Sequence, residues 1–178
     1  MQAMQNTQTF RALRADEVES SYELYRQVRA WLRENEIRLW LAPVPKQKFE
    51  ERQARGELFG LFVGKELAVI LAIVRKMPSY WQAEIGTEAE WWLETIATAP
   101  SFRGQQLGRL AISNALAKLS AENVRTVYLD CASGFLPNYY EQCGFLEITA
   151  KEVLFPSGNK YLLSLMKRPL TPNLGGVL

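Results

Sequence analysis

The stretch from Glu90 to Leu119 constrains this chain more than any other. Glu90-Trp91-Trp92-Leu93-Glu94-Thr95-Ile96-Ala97-Thr98 reads as a strand, Ala99-Pro100-Ser101-Phe102 as a turn, and Arg103-Gly104-Gln105-Gln106-Leu107-Gly108-Arg109 as the opening of a helix. A strand, a glycine-bearing turn and a helix in that order make an anion site. The first N–H groups of a helix have no partner within it, and the aligned peptide dipoles leave positive charge there. Gly108, Ala111, Ile112, Ala115, Leu116 and Leu119 fall on one helical face, while Arg109, Ser113 and Lys118 fall elsewhere, so one face is expected to be buried. Small residues at its N-terminal end let that helix approach a sheet closely.

The pattern excludes two familiar phosphate sites. There is no Gly-Lys-Ser/Thr ending of a nucleotide-hydrolase loop and no Gly-x-Gly-x-x-Gly of a dinucleotide fold. The stretch resembles instead motif A of the Gcn5-related N-acetyltransferases (GNAT), Gln/Arg-x-x-Gly-x-Gly/Ala. Arg103 fills the first position and Gly108 the last, and Pro100-x-Phe102-Arg103-Gly104 is similar to the family's common form. Gln106 departs, standing where the family usually has glycine, which bears on how closely the backbone can approach a ligand there. A second element, Asn138-Tyr139-Tyr140-Glu141-Gln142-Cys143-Gly144-Phe145, looks like the family's Tyr-x-x-x-Gly-Phe signature, with Arg125–Asp130 as the strand between.

The resemblance covers roughly Leu58 to Lys167. It implies an α/β (α+β) fold: a mixed, mostly antiparallel central sheet of about seven strands flanked by helices, splayed between the strands before and after motif A. At 178 residues the chain is most simply one domain, 1–178, with a tail loosely held from about Pro169. With 48% hydrophobic and 22% charged residues it reads as an ordinary globular protein, and a formal charge of +2 gives no argument for nucleic acid. Met1–Asn6 lacks a signal-peptide pattern and no stretch is long and apolar enough to span a membrane, so a cytoplasmic protein without a membrane partner is expected. Cys131 and Cys143 suggest neither a disulfide framework nor a metal site. Histidine is absent, which removes Ser-His and Cys-His catalysis and His-based zinc sites.

Along the chain, Thr9–Arg14 reads as a first strand. Asp16, with Glu19 three residues on, reads as the cap of a helix running to about Arg33 on Val18, Tyr22, Tyr25, Val28 and Leu32. Pro45 opens a second helix that Gly56 stops. In the family, these helices and the segment between them form one wall of the acceptor site. Leu58–Val63 and Leu67–Val74 read as a hairpin through Gly64-Lys65-Glu66. Met77–Gly86, rich in large side chains, caps the core or lines a ligand site. Leu146–Thr149 and Tyr161–Met166 read as the last two strands.

The resemblance implies acetyl transfer from acetyl-coenzyme A, as cosubstrate and with no metal, to a primary amine of a small molecule or peptide by direct attack. The pyrophosphate would rest on the N–H groups of Gly104, Gln105, Gln106, Leu107, Gly108 and Arg109, with Arg103 and Arg109 adding charge. The pantetheine arm would pair with backbone at Ile96, Ala97 and Thr98. For Arg103 the other reading is a surface salt bridge. Tyr140 holds the position of the family's usual general acid, against an alternative of aromatic packing such as Tyr139 is expected to have. Asn138 could bond the pantetheine arm, although the family's asparagine usually lies upstream, where Ser133 stands. Glu94 is the first candidate for the base, with Glu90 nearer solvent; a carboxylate that merely pairs with a cation, or a chain of waters, fits as well. Cys131 is left in the core. Trp40, Phe49, Tyr80 and Trp81 either shape an acceptor pocket or are core. Besides the enzyme, a noncatalytic acyl-CoA-binding sensor and a purely structural domain fit the pattern, and a homodimer is among the assemblies the superfamily allows.

Overall fold

The computed structural model describes residues 7–134 and 136–171. In chain order the elements are β1 (Gln8–Ala12), α1 (Val18–Glu34), α2 (Lys46–Ala54), β2 (Leu58–Val63), β3 (Glu66–Lys76), α3 (Gln82–Ile85), β4 (Glu90–Thr98), α4 (Leu107–Ala121), β5 (Thr126–Ala132), α5 (Leu136–Glu141), β6 (Leu146–Leu154) and β7 (Lys160–Pro169). The strands form one mostly antiparallel seven-stranded sheet in the order β1-β2-β3-β4-β5-β7-β6, as the resemblance implied. The chain packs as two compact units. Among the described residues, one takes in those up to Ala72 with Thr95–Ala111, the other Ile73–Glu94 with those from Ile112 onward.

In the first unit, β1 lies antiparallel to β2, from Gln8 opposite Val63 to Ala12 opposite Phe59, and β2 pairs antiparallel with β3 through the turn at Gly64. The helix α1 buries Val18, Leu24, Tyr25, Val28 and Leu32, close to the face expected. Its start differs from expectation. A single 3-10 turn at Ala15–Glu17 precedes it, and the Glu17 carboxylate, not that of Asp16 or Glu19, reaches back to accept the Arg14 N–H at 2.8 Å. Pro45 precedes α2 and Gly56, at φ 70°, follows it, so the proline and glycine signals mark the ends they were read to mark. Phe49 is fully buried between Tyr22 and Tyr25, and Trp40 packs on Tyr25 at 5.3 Å between ring centroids. A fully buried aromatic or leucine side chain contributes about 1.5–3 kcal/mol, so this cluster is a main source of the unit's stability.

In the second unit, β5 is antiparallel to β7 from Thr126–Pro169 to Ala132–Leu163, and β7 to β6 with a register shift between Glu147 and Thr149. The parallel ladder of β4 with β5 is short, Trp91 opposite Val127 and Trp92 opposite Tyr128. Trp92 and Trp81 are fully buried; the Trp92 indole N–H meets the Lys76 carbonyl at 3.1 Å and that of Trp81 the Asp130 carboxylate at 2.9 Å. A buried indole with its N–H met is stable packing, which answers for Trp81 the question left open over Met77–Gly86. At the far end β7 runs through Pro169, the Leu170 N–H bonds the Arg125 carbonyl and the Ser120 hydroxyl bonds that of Thr171. The tail expected to hold loosely from about Pro169 is therefore tied as far as Thr171, and its remainder, like Met1–Asn6, lies outside the described residues.

Candidate active site

The loop before α4 is the segment expected from the sequence to receive an anion. After β4 the Ala99 N–H bonds the Ala68 carbonyl on β3 at 2.8 Å, and a 3-10 turn, Pro100–Phe102, leads into Arg103. The α-helix opens at Leu107, four residues later than the sequence pattern suggests, and the Leu110 N–H to the Gln106 carbonyl, 3.1 Å, is its first-turn bond. Gly104 has φ 75° and Gln106 φ 60°, both in the left-handed region. Gln106 thus takes a backbone conformation that glycine enters most easily, while its side chain lies exposed. A left-handed L-residue costs about 1–2 kcal/mol, so the loop's path is held by its surroundings and not by local preference. Leu107 and Gly108 are buried, as are Ala111, Ile112, Ala115, Leu116 and Leu119, the predicted face of α4.

Arg103 does not stand as a loose surface cation. Its guanidinium carbon lies 3.5 Å from the centroid of the Trp31 ring on α1, a close cation–π contact, and burial pulls its pKa below the usual value for arginine. Arg109 is half-buried in the first turn of α4. Ile96 and Thr98 are half-buried and Ala97 is buried. Among the described residues the β4–β5 ladder covers only Trp91 and Trp92 of β4, so it does not engage the peptide groups of Ile96, Ala97 and Thr98.

Just before them, Thr95 has φ 52°, and its hydroxyl accepts a hydrogen bond of 2.8 Å from Arg52 Nη1 on α2. Neither residue stands out in the sequence as functional. Arg52 lies three positions after the buried Phe49, so the helical period places it on the inward face, and that was the available signal.

In the second unit, Tyr140 is the penultimate residue of the short helix α5. Its ring meets Tyr139 edge-on at 5.2 Å and Phe145 edge-on at 6.1 Å, and its carbonyl accepts the N–H groups of Cys143 and Phe145. Burial, with the nearby Cys131 next in weight, pushes the phenol above its ordinary range, so it stays protonated at neutral pH. Gly144 follows at φ 82°, and the Arg168 guanidinium from β7 lies where a side chain would be, bonding the Cys143 carbonyl at 2.8 Å. The glycine of the signature is required on both counts.

Glu94 forms an ion pair with Lys76, whose ammonium also lies 5.2 Å from the centroid of Trp92. Asn138 is exposed on α5. Ser133 accepts the hydroxyl proton of Ser164 at 3.0 Å. Cys131 lies in β5 with its thiol against Met166 and pushed up to about 12 by burial, which keeps it inert as a nucleophile. Tyr80 and Trp81 share the carboxylate of Asp130, with Tyr80 stacked edge-on against Phe155.

Residues 21–145 match the family model of the Acetyltransferase (GNAT) family. The chain belongs to that family. No curated protein sequence matches it. Among solved structures, this GNAT chain is similar to a GNAT-family acetyltransferase from Listeria monocytogenes, with 19% identity, a TM-score of 0.76, and 96% of this chain and 99% of that one covered. It is similar also to the ribosomal-protein-S18-alanine N-acetyltransferase of Escherichia coli, with 17% identity, a TM-score of 0.67, and 97% and 99% covered. A third similar structure is RimL, a ribosomal L7/L12 alpha-N-protein acetyltransferase in complex with coenzyme A, with 13% identity, a TM-score of 0.66, and 94% and 97% covered. These likenesses establish the fold that the GNAT chain shares with them. No helix of its described residues is long and apolar enough to cross a membrane.

Proposed function

We propose that this GNAT protein is an acetyl-CoA-dependent N-acetyltransferase that acetylates a primary amine by direct attack. The observation that carries the reading is the loop before α4: two left-handed residues, Gly104 and Gln106, lead straight into a fifteen-residue helix. Successive N–H groups in such a turn, continued by the helix N-terminus, suit a pyrophosphate. Arg103 and Arg109 add positive charge, and the peptide groups of Ile96, Ala97 and Thr98 suit the pantetheine amides.

The chemistry needs few further groups. The amine nitrogen attacks the thioester carbon, the C–S bond breaks, and the nitrogen loses a proton as the sulfur gains one. Tyr140 donates a hydrogen bond to the departing thiolate. A thiol titrates near ~8.5, below a buried phenol, so Tyr140 stabilises the leaving sulfur more readily than it surrenders its proton, and the nitrogen is the net source. Glu94 takes the proton from the incoming ammonium, with Lys76 competing for the same carboxylate. Holding the reactants in place supplies most of the acceleration.

The test is a thiol-release assay with acetyl-CoA against a broad panel of amines, peptide N-termini included, beside a thermal-shift titration. At about 100 times Kd, a ligand of the folded state adds ~2.7 kcal/mol. No shift and no thiol release would leave a structural domain as the better reading.

A further inference from the structure

Thr95 is the strained residue of β4. It is β-branched, and a φ of 52° lies in a region such side chains almost never enter. A residue persists there only where its surroundings over-determine it. Extended backbone is its natural alternative, and changing one residue in a strand turns over every peptide and side chain after it relative to the sheet. The residues after it are Ile96, Ala97 and Thr98.

The constraint on Thr95 comes from α2. Arg52 is only 5% exposed, and its Nη1 donates to the Thr95 hydroxyl at 2.8 Å. A guanidinium withdrawn from water is costly unless its donors are met, which makes this bond hard to give up. Holding Oγ1 also fixes χ1 of a side chain that has few rotamers, so the bond acts on the Thr95 backbone. The helix that carries Arg52 is itself anchored at the next residue, where Gln53 Nε2 donates to the Leu13 carbonyl at 3.2 Å.

We propose that Arg52 is a positioning residue that holds Thr95 in its left-handed conformation and so keeps Ile96–Thr98 set to receive the pantetheine arm. This inference rests on the acetyl-CoA reading above. When a binding-competent conformation is only partly populated, apparent affinity falls by that fraction. Loss of the Arg52 bond therefore raises Kd and KM for acetyl-CoA and leaves kcat at saturation nearly unchanged.

The experiment is direct calorimetric titration of acetyl-CoA into wild type, Arg52→Met, Thr95→Val, Thr95→Gly and Arg52→Met/Thr95→Gly, with KM and kcat measured alongside. Arg52→Met and Thr95→Val delete the same bond from opposite ends, and each weakens binding by about tenfold or more, the loss expected for one hydrogen bond to a charged group. Glycine enters the left-handed region without penalty, so on the Thr95→Gly background Arg52→Met changes affinity by less than about twofold. Wild-type affinity in Arg52→Met overturns the inference, as does an equal penalty on both backgrounds or a fall in kcat with KM unmoved. Backbone exchange gives a ligand-free reading: amides 96–98 of apo Arg52→Met exchange faster than those of wild type, and unchanged exchange also overturns it. If wild type binds no acetyl-CoA, the functional proposal fails, whereas binding that is indifferent to Arg52 defeats only the present inference.

Discussion

Replacing Gly144 by alanine tests why the end of α5 is built as it is. An added Cβ would lie 1.1 Å from Arg168 Nη1 and 2.4 Å from its Cζ, so the guanidinium must leave and its bond to the Cys143 carbonyl must break. A hydrogen bond to a charged group is worth about 1.5–3 kcal/mol. Alanine at φ 82° adds about 1–2 kcal/mol of left-handed strain. Gly144→Ala should therefore destabilise by about 2.5–5 kcal/mol, a Tm fall of roughly 5–20 °C for a chain of this size. Urea and thermal unfolding of Gly144→Ala, Arg168→Ala and the double variant separate the two contributions. With Arg168 already truncated, Gly144→Ala should cost only the strain, about 1–2 kcal/mol. Strictly additive losses would refute the argument, since they would mean that the guanidinium does not occupy the space the alanine needs.

Three further outcomes are expected. Tyr140→Phe should lower kcat by ~10² or more with acetyl-CoA affinity little changed, and retained activity would refute its role; because burial raises the phenol, wild-type kcat should show no Tyr140-dependent fall between pH 7 and 9, and a fall there that vanishes in the variant would contradict the raised pKa. The hydrogen bond from Arg11 is the largest cause holding the Glu17 carboxyl down to about 2, from an ordinary 4.5, so it contributes stability present above about pH 4.5 and lost as pH falls through about 2; in Arg11→Ala the Tm should decline less across that window, and an unchanged slope would count against the pairing. Peptide mapping after alkylation of native protein at pH 8 should find Cys143 modified and Cys131 spared, since only the latter is buried with its thiol near 12; early modification of Cys131 would show its strand opening.

Periodicity and punctuation made most of the architecture legible. The face of α4 reads from Gly108 to Leu119 because a helix against a sheet must be apolar every third or fourth residue, and Pro45 with Gly56 bracket α2 because neither residue fits a helix interior. Boundaries set by side-chain reach were less visible. Glu17 caps the first turn in place of Asp16 because its longer side chain returns to the Arg14 N–H. Within the candidate site, motif residues carried the loop and Tyr140, whereas three features had no local signature. Left-handed backbone at Gln106 and Thr95 runs against the preference of both residue types, so composition points away from it. The stack of Arg103 on Trp31 joins residues 72 positions apart, and the pairing of Glu94 with Lys76 joins neighbours in space that no short-range rule connects.

The stack has a bearing on how an anion would meet the loop. An arginine on an open surface samples many rotamers, and fixing it at the moment of encounter consumes part of the attraction. The Arg103 guanidinium carbon already lies 3.5 Å from the centroid of an indole. Its orientation is settled in advance, and a tryptophan on the first helix takes part in setting the electrostatics of a loop some seventy residues later.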